Sequence, residues 1–367
     1  MCRWTIFWDV PITPIPTRHK HKKGMIDMND IITTEKPKLA SYKTVCAKLG
    51  LVMCVFFICR LVNYLAVHSL SRAGLGETAF YILQRVFSVL LVYIVPLLAA
   101  MILFKSFDDY KGRLGELYKK PERLAKKLGT FPAMYGLGYG IALITILINY
   151  LISRFTEETT QLEEVFRPTA MEPSNSVAYL IIMVIMLVVA APVFEEFLCR
   201  GIMYDALAPY GNGISIIISS VLFGLMHGNL YMLFYTTALG FALGYVRYAT
   251  GSLFVVTVLH ALLNAVAAGI LVASSLVEIT NWNNMLVVTF HNIYLFAGLV
   301  LIAVGIIAFI KRIPVIRKYK IENTWNEIGG FKKTALFLIS PPVLLMLVFA
   351  FDEHANNMII EKITGLF

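Results

Sequence analysis

The chain has 367 residues, of which 58% are hydrophobic and 15% are charged, and its formal net charge at pH 7 is +9. Soluble domains contain about 45–50% apolar and about 25% charged residues, so this composition argues against a soluble, a disordered or a disulfide-built secreted protein. The apolar residues form blocks about 20 residues long, which is enough to cross a membrane as a helix. The sequence therefore predicts an all-α integral membrane protein that does not bind nucleic acid.

We predict a polytopic transmembrane helical bundle with about eight to nine spans. In chain order the candidate spans are 49–67, 78–104, 131–153, 177–198, 213–228, 231–248, 253–272, 286–310 and 334–351. The fifth segment is short for a crossing, so we expect this region to be re-entrant or broken.

Connecting segments that are rich in lysine and arginine alternate with segments that have few of them. Residues 1–48 contain nine, 105–130 contain eight and 311–333 contain seven, whereas 68–77 contain one and 273–285 contain none. Basic loops face the cytoplasm, so nine spans place the amino terminus inside and the carboxyl terminus outside. Residues 1–48 are expected to form a mobile basic tail, in which Met25 and Met28 are alternative starts to Met1.

Ionisable side chains inside a membrane cost about 2.5–3.5 kcal/mol each on insertion scales, so each is a candidate functional residue. Arg60, Arg85 and His291 stand apart from one another. Snorkelling or a polar neighbour accounts for the two arginines, and nothing near His291 in the sequence suggests a partner for it. The other polar groups are concentrated in and around three predicted spans. They are Glu195, Glu196, Arg200, His227, His260 and Asn264.

Helical spacing arranges the members of this set. Glu196 and Arg200 are four residues apart, so they share a face and can pair. Glu195 then points about 100° away and can face a cavity. His260 and Asn264 are also four residues apart and share a face.

These residue types suit the activation of water. A carboxylate with an imidazole can deprotonate water, and a second imidazole with an amide can stabilise an oxyanion. Alternatively, Glu195, His227 and His260 could ligate a divalent metal such as zinc, whose bound water would be the nucleophile. Both routes give hydrolysis without a covalent intermediate, and the residues do not choose between them. Cys199 has no base at a readable spacing.

Three motifs follow one another on successive segments: EExxxR (Glu195, Glu196, Arg200), FxxxH (Phe223, His227) and HxxxN (His260, Asn264). Together they resemble the CAAX-protease and bacteriocin-processing family of intramembrane proteases, also called CPBP or Abi. The resemblance covers about 175–270. It implies a catalytic membrane core at 154–285, flanked by membrane helices at 49–153 and 286–367.

The resemblance implies an intramembrane endopeptidase, similar to CAAX prenyl proteases, that acts near the cytoplasmic membrane face. In that family's pattern Glu195 would be the general base and His227 would help to hold the water. His260 and Asn264 would stabilise the oxyanion or the water. The other two residues of the first motif, Glu196 and Arg200, would support the site. Both a metal-dependent and a glutamate mechanism remain open.

The substrates implied are peptides or membrane-protein segments, lipidated or leader-bearing, and the location implied is a bacterial plasma membrane. Two other classes stay open. A non-catalytic protein of the bacteriocin-immunity or partner-sequestering type could keep the motifs for structure, and a transporter could use a Glu/His proton relay. A hydrolytic site also requires that 213–228 be broken or tilted, because a straight crossing would carry His227 away from Glu195.

Overall fold

The computed structural model describes residues 39–105, 114–115, 117–119, 124–155, 177–228, 230–280, 284–318 and 328–354. Every regular element within these ranges is a helix, which confirms the predicted all-α bundle. The predicted tail up to residue 38 and the segment 156–176 lie outside the described residues.

We number the helices of the described ranges in chain order. The first four are α1 (Leu39–Ser71), α2 (Glu77–Ser88, a π-helical segment Val89–Ile94, and Val95–Leu103), α3 (Leu124–Leu128) and α4 (Phe131–Phe155). Helix α5 runs through 177–210 as Val177–Ile185, π-helical Met186–Ala190, Ala191–Glu196, π-helical Phe197–Met203, Tyr204–Leu207 and a 3₁₀ turn at Ala208–Tyr210. The remaining helices are α6 (Asn212–Leu225), α7 (Leu230–Thr250), α8 (Leu253–Ile279), α9 (Met285–Lys318), α10 (Gly330–Leu338) and α11 (Pro341–His354).

All nine predicted segments are helical, but they are not equally suited to crossing a membrane. In the described part of the chain, six stretches are long and apolar enough: Leu39–Ser71, Ala79–Leu103, Phe131–Ile148, Tyr179–Tyr210, Leu253–Val277 and Met285–Pro314. Helices α10 and α11, bent by 71°, would together make a seventh. By length and composition there are thus six or seven spans against the eight to nine predicted. Helices α6 and α7 account for the difference.

Helices α6 and α7 pack against each other as a hairpin. Helix α6 has 14 residues, which is short of the about 20 that a crossing needs. A Cβ atom at Gly240 of α7 would lie 3.0 Å from the Cα atom of Ser220 in α6, so the two helix backbones approach each other closely at this point. A hairpin that returns to its starting side removes two crossings at once. The sides predicted for the later loops therefore do not change.

A deeply buried part of the bundle lies where α5, α6, α7 and α8 meet. Its fully buried apolar side chains include Cys199, Met203, Leu222, Leu243, Val256 and Leu259. Helix α9 is the opposite case, because apolar side chains such as Leu286 and Phe296 are 83% and 68% exposed and form a lipid-facing surface. Polar groups in the α5–α8 region are therefore surrounded by protein rather than by lipid.

Lys333 departs from the sequence prediction. We counted it among the basic loop residues 311–333, but it lies in α10 and is only 4% exposed. Its Nζ atom donates a hydrogen bond of 2.6 Å to the carbonyl oxygen of Tyr210 at the end of α5. Lys333 therefore joins two helices and is not a topology marker.

Candidate active site

A cavity of about 270 Å³ opens between the α5–α8 region and helices α1, α2 and α4. Four of the six polar residues predicted from the sequence line it: Glu195, His227, His260 and Asn264. The rest of the wall is largely aromatic and aliphatic, with Phe56, Tyr93, Tyr139, Phe223, Met226 and Tyr235 among its residues. The short α6 ends at the cavity, which is why His227 can share it with Glu195.

Glu196 faces away from the cavity and is fully buried. Its Oε1 atom accepts hydrogen bonds from Arg200 Nη1 at 3.1 Å and from His260 Nδ1 at 2.8 Å. The predicted pairing of Glu196 with Arg200 is therefore present. Arg200 Nη2 donates to the carbonyl oxygen of Gly240 at 3.1 Å, and the guanidinium lies 4.3 Å from the Phe223 ring centroid.

This network determines which nitrogen of His260 faces the cavity. Glu196 pairs with Arg200 and accepts at Oε1, so we assign the proton of the shared hydrogen bond to His260 Nδ1. Nε2 is then the atom left for chemistry. It lies 3.9 Å from Glu195 Oε2, a distance too long for a direct hydrogen bond and suited to a bridging water.

Glu195 lies between the two π-helical segments of α5. Single π-helical turns inside α-helices are frequent at functional sites, where they change the direction of side chains. Across the cavity, the hydroxyl group of Tyr93 lies close to the Glu195 carboxylate. The Tyr93 ring also stacks on that of Phe194 at 5.5 Å between centroids. Tyr93 itself belongs to the π-helical segment of α2.

His227 follows the C-terminal end of α6. Its Nδ1 atom is 2.8 Å from the carbonyl oxygen of Phe223, and a carbonyl oxygen only accepts, so Nδ1 carries the proton. Nε2 is therefore the hydrogen-bond acceptor of the neutral ring. Gly228, with φ at +89°, ends the turn in a conformation that favours glycine.

Asn264 connects α8 to the other side of the site. Its Nδ2 atom donates to the carbonyl oxygen of Leu187 at 2.8 Å, within the first π-helical segment of α5. The second amide hydrogen and the side-chain oxygen remain for a ligand in the cavity.

The three residues considered as metal ligands do not form a three-ligand group in this arrangement. Within the described ranges, no three His, Cys, Asp or Glu side chains lie together in a way that could hold a metal ion. Glu195 and His260 approach each other to 3.9 Å. We therefore derive no chemical step through a metal.

Several cavity residues were not predicted from the sequence as part of the site. Arg60, interpreted as snorkelling or locally paired, lines the cavity and donates a hydrogen bond of 2.7 Å to the carbonyl oxygen of Met226. Its charge within a span was the signal that could have identified it. Tyr93 and Tyr235 carry no such signal, because aromatic residues are common in membrane helices. Cys199 is fully buried and is absent from the cavity wall.

Two other polar residues have partners away from the site. His291 Nε2 is 3.3 Å from the hydroxyl group of Ser274, so this histidine does have a partner, which its sequence surroundings did not suggest. Arg247 bonds Asp205 at 3.2 Å and donates from Nε to the carbonyl oxygen of Arg200 at 3.1 Å. The contact of His291 joins α9 to α8, and the two contacts of Arg247 join α7 to α5.

Comparison with known families bears on this site directly. Residues 177–266 match the model of the family described as Type II CAAX prenyl endopeptidase Rce1-like. We call this range the Rce1-like segment. It is about a quarter of the chain and contains all six polar residues predicted from the sequence. The match is consistent with the CPBP resemblance of the three motifs.

An uncharacterized protein of Mycoplasma capricolum is 22% identical to the chain over 193 residues, which are 52% of this chain and 56% of that protein. The chain therefore spans about half the length of this relative. No solved structure matches the chain.

Proposed function

We propose that the protein is an intramembrane endopeptidase that hydrolyses a peptide bond with a water molecule activated in the cavity. The observation that carries the proposal is the convergence of Glu195, His227, His260 and Asn264 on one cavity. The match of the Rce1-like segment supports a CAAX-type intramembrane protease in general. The membrane-spanning helices around the cavity support a substrate that is cut within or at the bilayer.

Glu195 is the general base in this mechanism. A water between Glu195 and the Nε2 atom of His227 donates one hydrogen bond to each, since both groups accept. As the water oxygen attacks the carbonyl carbon of the substrate, its proton passes to Glu195. Positioned acid–base groups of this kind contribute about 10²- to 10⁴-fold to the rate.

The resulting oxyanion needs hydrogen-bond donors. Asn264 supplies the amide hydrogen that is not bound to Leu187, and the Nε2 atom of His260 donates when this ring is protonated. Removal of one such donor typically lowers kcat by about 10²- to 10³-fold. When the intermediate collapses, the C–N bond breaks and Glu195 returns its proton to the leaving amine nitrogen.

Glu196 and Arg200 act behind the cavity. By accepting from His260 Nδ1, Glu196 fixes the tautomer and the orientation of that ring. Arg200 compensates the buried charge of Glu196. Neither side chain needs to touch the substrate.

The substrates proposed are peptides or membrane-protein segments, lipidated or leader-bearing, cut near the cytoplasmic face of a bacterial plasma membrane. The basic segments support a cytoplasmic amino terminus. Helices α6 and α7 then enter from the cytoplasm and return to it, and the substrate reaches the cavity beside their turn from the cytoplasmic side. Labelling of single cysteines placed at Ala208 and Ala249, both half-buried near the ends of α5 and α7, with a membrane-impermeant thiol reagent tests this orientation, because both positions should react only from the cytoplasmic side.

The activity is tested with purified protein in proteoliposomes and three peptides, namely a prenylated C-terminal peptide, its unprenylated form and a leader peptide. Cleavage is followed by mass spectrometry. We expect the protein to cut at least one of them and Glu195→Gln to reduce the rate by at least about 10²-fold.

Asp205→Asn is the matched control. It makes the same carboxylate-to-amide change on the same helix, but Asp205 pairs with Arg247 and does not line the cavity. The control should keep its activity per folded molecule. Equal rates for the wild-type protein and Glu195→Gln would overturn the proposal and favour the non-catalytic immunity class.

A further inference from the structure

Arg60 is a cation on α1, far outside the Rce1-like segment in the sequence, whose side chain reaches the site. Its Nη1 atom lies 2.7 Å from the carbonyl oxygen of Met226, 166 residues further along the chain. This is a short charge-assisted hydrogen bond, of the kind that is about twice as strong as a neutral one. The guanidinium also lies 5.7 Å from the ring centroid of Phe56, one turn earlier on α1.

The accepting carbonyl belongs to the end of a helix. Helix α6 ends at Leu225, and Met226 is its C-terminal cap. The last carbonyl groups of a helix lack partners within the helix and carry the negative end of its dipole, so an arginine there satisfies a hydrogen bond and stabilises the terminus.

The next residue after this carbonyl is His227. Its ring is oriented by the carbonyl oxygen of Phe223, one turn back, and its main chain follows the carbonyl that Arg60 binds. Gly228 then ends the turn. The position of His227 in the cavity thus depends on the last turn of α6 remaining closed, and Arg60 binds this turn from another helix at the main-chain carbonyl of Met226.

We propose that Arg60 is a positioning residue for His227, holding the end of α6 so that the imidazole remains at the place where it meets the water. This inference rests on the proposed function for its effect on catalysis. It assigns to α1 a role that the match of the Rce1-like segment does not include. Misplacement of a catalytic group by about 1 Å can lower a rate by about 10²-fold, so a loosened turn should be visible in the kinetics.

The kinetic test compares Arg60→Gln and Arg60→Lys with the wild-type protein on the peptide that is cleaved best. Because Arg60 acts through His227, we expect Arg60→Gln to lower kcat by about 10- to 100-fold and to leave KM within about twofold. Lysine keeps the positive charge and can still donate a hydrogen bond, but it lacks the planar guanidinium that lies near the Phe56 ring, so its kcat should be intermediate. Added guanidinium ion should restore part of the activity of Arg60→Gln.

Arg85→Gln is the matched control. Arg85 is also an arginine within a membrane helix, but it lies 5.8 Å from the Tyr179 ring centroid and does not line the cavity. It should leave kcat and KM unchanged. A rise in KM with an unchanged kcat in Arg60→Gln would overturn the proposal and identify Arg60 as a group that binds substrate.

A second measurement does not depend on activity. Hydrogen exchange of a peptide that covers 222–230 should be at least about tenfold faster in Arg60→Gln than in the wild-type protein, and unchanged in Arg85→Gln, because the end of α6 would open locally. Unchanged exchange in Arg60→Gln would contradict the positioning role. If Glu195→Gln abolishes cleavage while Arg60→Gln behaves like the wild-type protein in both measurements, only this inference fails. If Glu195→Gln retains full activity, the proposed function fails whatever Arg60 does.

Discussion

Glu195 and Glu196 are neighbours in the chain, yet they lie in two regions of the molecule with different surroundings. Glu196 belongs to a buried network with Arg200 and the Nδ1 atom of His260, in which one oxygen accepts two hydrogen bonds from protein groups. Glu195 belongs to the cavity wall, where His260 Nε2 is 3.9 Å away. The network binds Glu196 to protein groups through Oε1, although Glu196 Oε2 and Arg200 Nε have no hydrogen-bond partner there among the described residues. The cavity wall leaves its polar groups available to a ligand.

The difference follows from helix geometry. Successive residues point about 100° apart, so a pair of adjacent acids on one helix necessarily faces two directions. A membrane protein tolerates a charge either when it is paired inside the bundle or when it faces a polar cavity. His260 joins the two regions, because each of its ring nitrogens lies in one of them.

The two regions should therefore respond differently to substitution. Changes in the cavity wall should reduce catalysis and leave the free energy of unfolding nearly unchanged. Changes in the buried network should reduce the free energy of unfolding first. The predictions below test this division, beginning with the largest effect.

His227→Phe should have the largest effect and should act on catalysis alone. The rings of His227 and Phe223 are in edge-to-face contact at 4.7 Å between centroids. Phenylalanine can keep this contact but lacks both ring nitrogens. We expect the rate of peptide cleavage to fall by about 10²- to 10⁴-fold. The unfolding temperature in detergent should stay within a few degrees of the wild-type value. A large loss of thermal stability would place His227 with the network instead.

Arg200→Met should act on stability. It leaves the carboxylate of Glu196 buried without its cationic partner, and breaking a buried ion pair from one side typically costs about 3–5 kcal/mol. Thermal unfolding in detergent should show a clear decrease. The double variant Arg200→Met/Glu196→Gln removes the unpaired charge and should regain part of the loss. A double variant no more stable than Arg200→Met would argue against the ion pair as the cause.

Gly240→Ala should have a smaller effect, because it tests how closely the α6–α7 hairpin packs beside the network. The new Cβ atom would lie 3.0 Å from the Ser220 Cα atom and 3.2 Å from Arg200 Nη2. Overpacking of this kind costs about 1–3 kcal/mol. In the control Gly244→Ala the nearest atom, at 3.3 Å, is the side-chain Cγ2 of Ile216, which can move. Equal stabilities of the two variants would contradict the close contact at Gly240.

Much of the candidate site could be predicted because charge is rare in this sequence. Few ionisable residues occur within the apolar blocks, so the six polar residues of the candidate site stand out, and helical spacing gives the relative directions of those that share a segment. The pairing of Glu196 with Arg200 needs only the i, i+4 rule, since both residues lie on one continuous helix. Helical spacing was therefore enough to predict contacts between residues that are close in the chain.

Contacts between distant segments could not be predicted in the same way. Arg60 reaches Met226 and Lys333 reaches Tyr210, and no local spacing relates these pairs. Nor does hydropathy distinguish a helix that crosses from one that returns, which is why α6 and α7 were counted as spans. The π-helical segments of α5 were not predicted either, although the first of them ends shortly before Pro192, which lacks the main-chain N–H that a regular helix uses.

The smallest predicted effect concerns metal removal, and it tests whether the cavity wall works with protein groups alone. His227 and His260 both use Nδ1 for protein partners, which leaves one nitrogen each, and no third carboxylate, thiol or imidazole joins them closely enough among the described residues to complete a metal site. We expect dialysis against a strong chelator to change the cleavage rate by less than about twofold. Zinc is then added back in a titration, with Glu195→Gln as the blank. If the chelated protein lost its activity and regained it with zinc, Glu195 and the two histidines would have to move closer together than they are here. The cavity wall would then have to adopt a second arrangement around an ion.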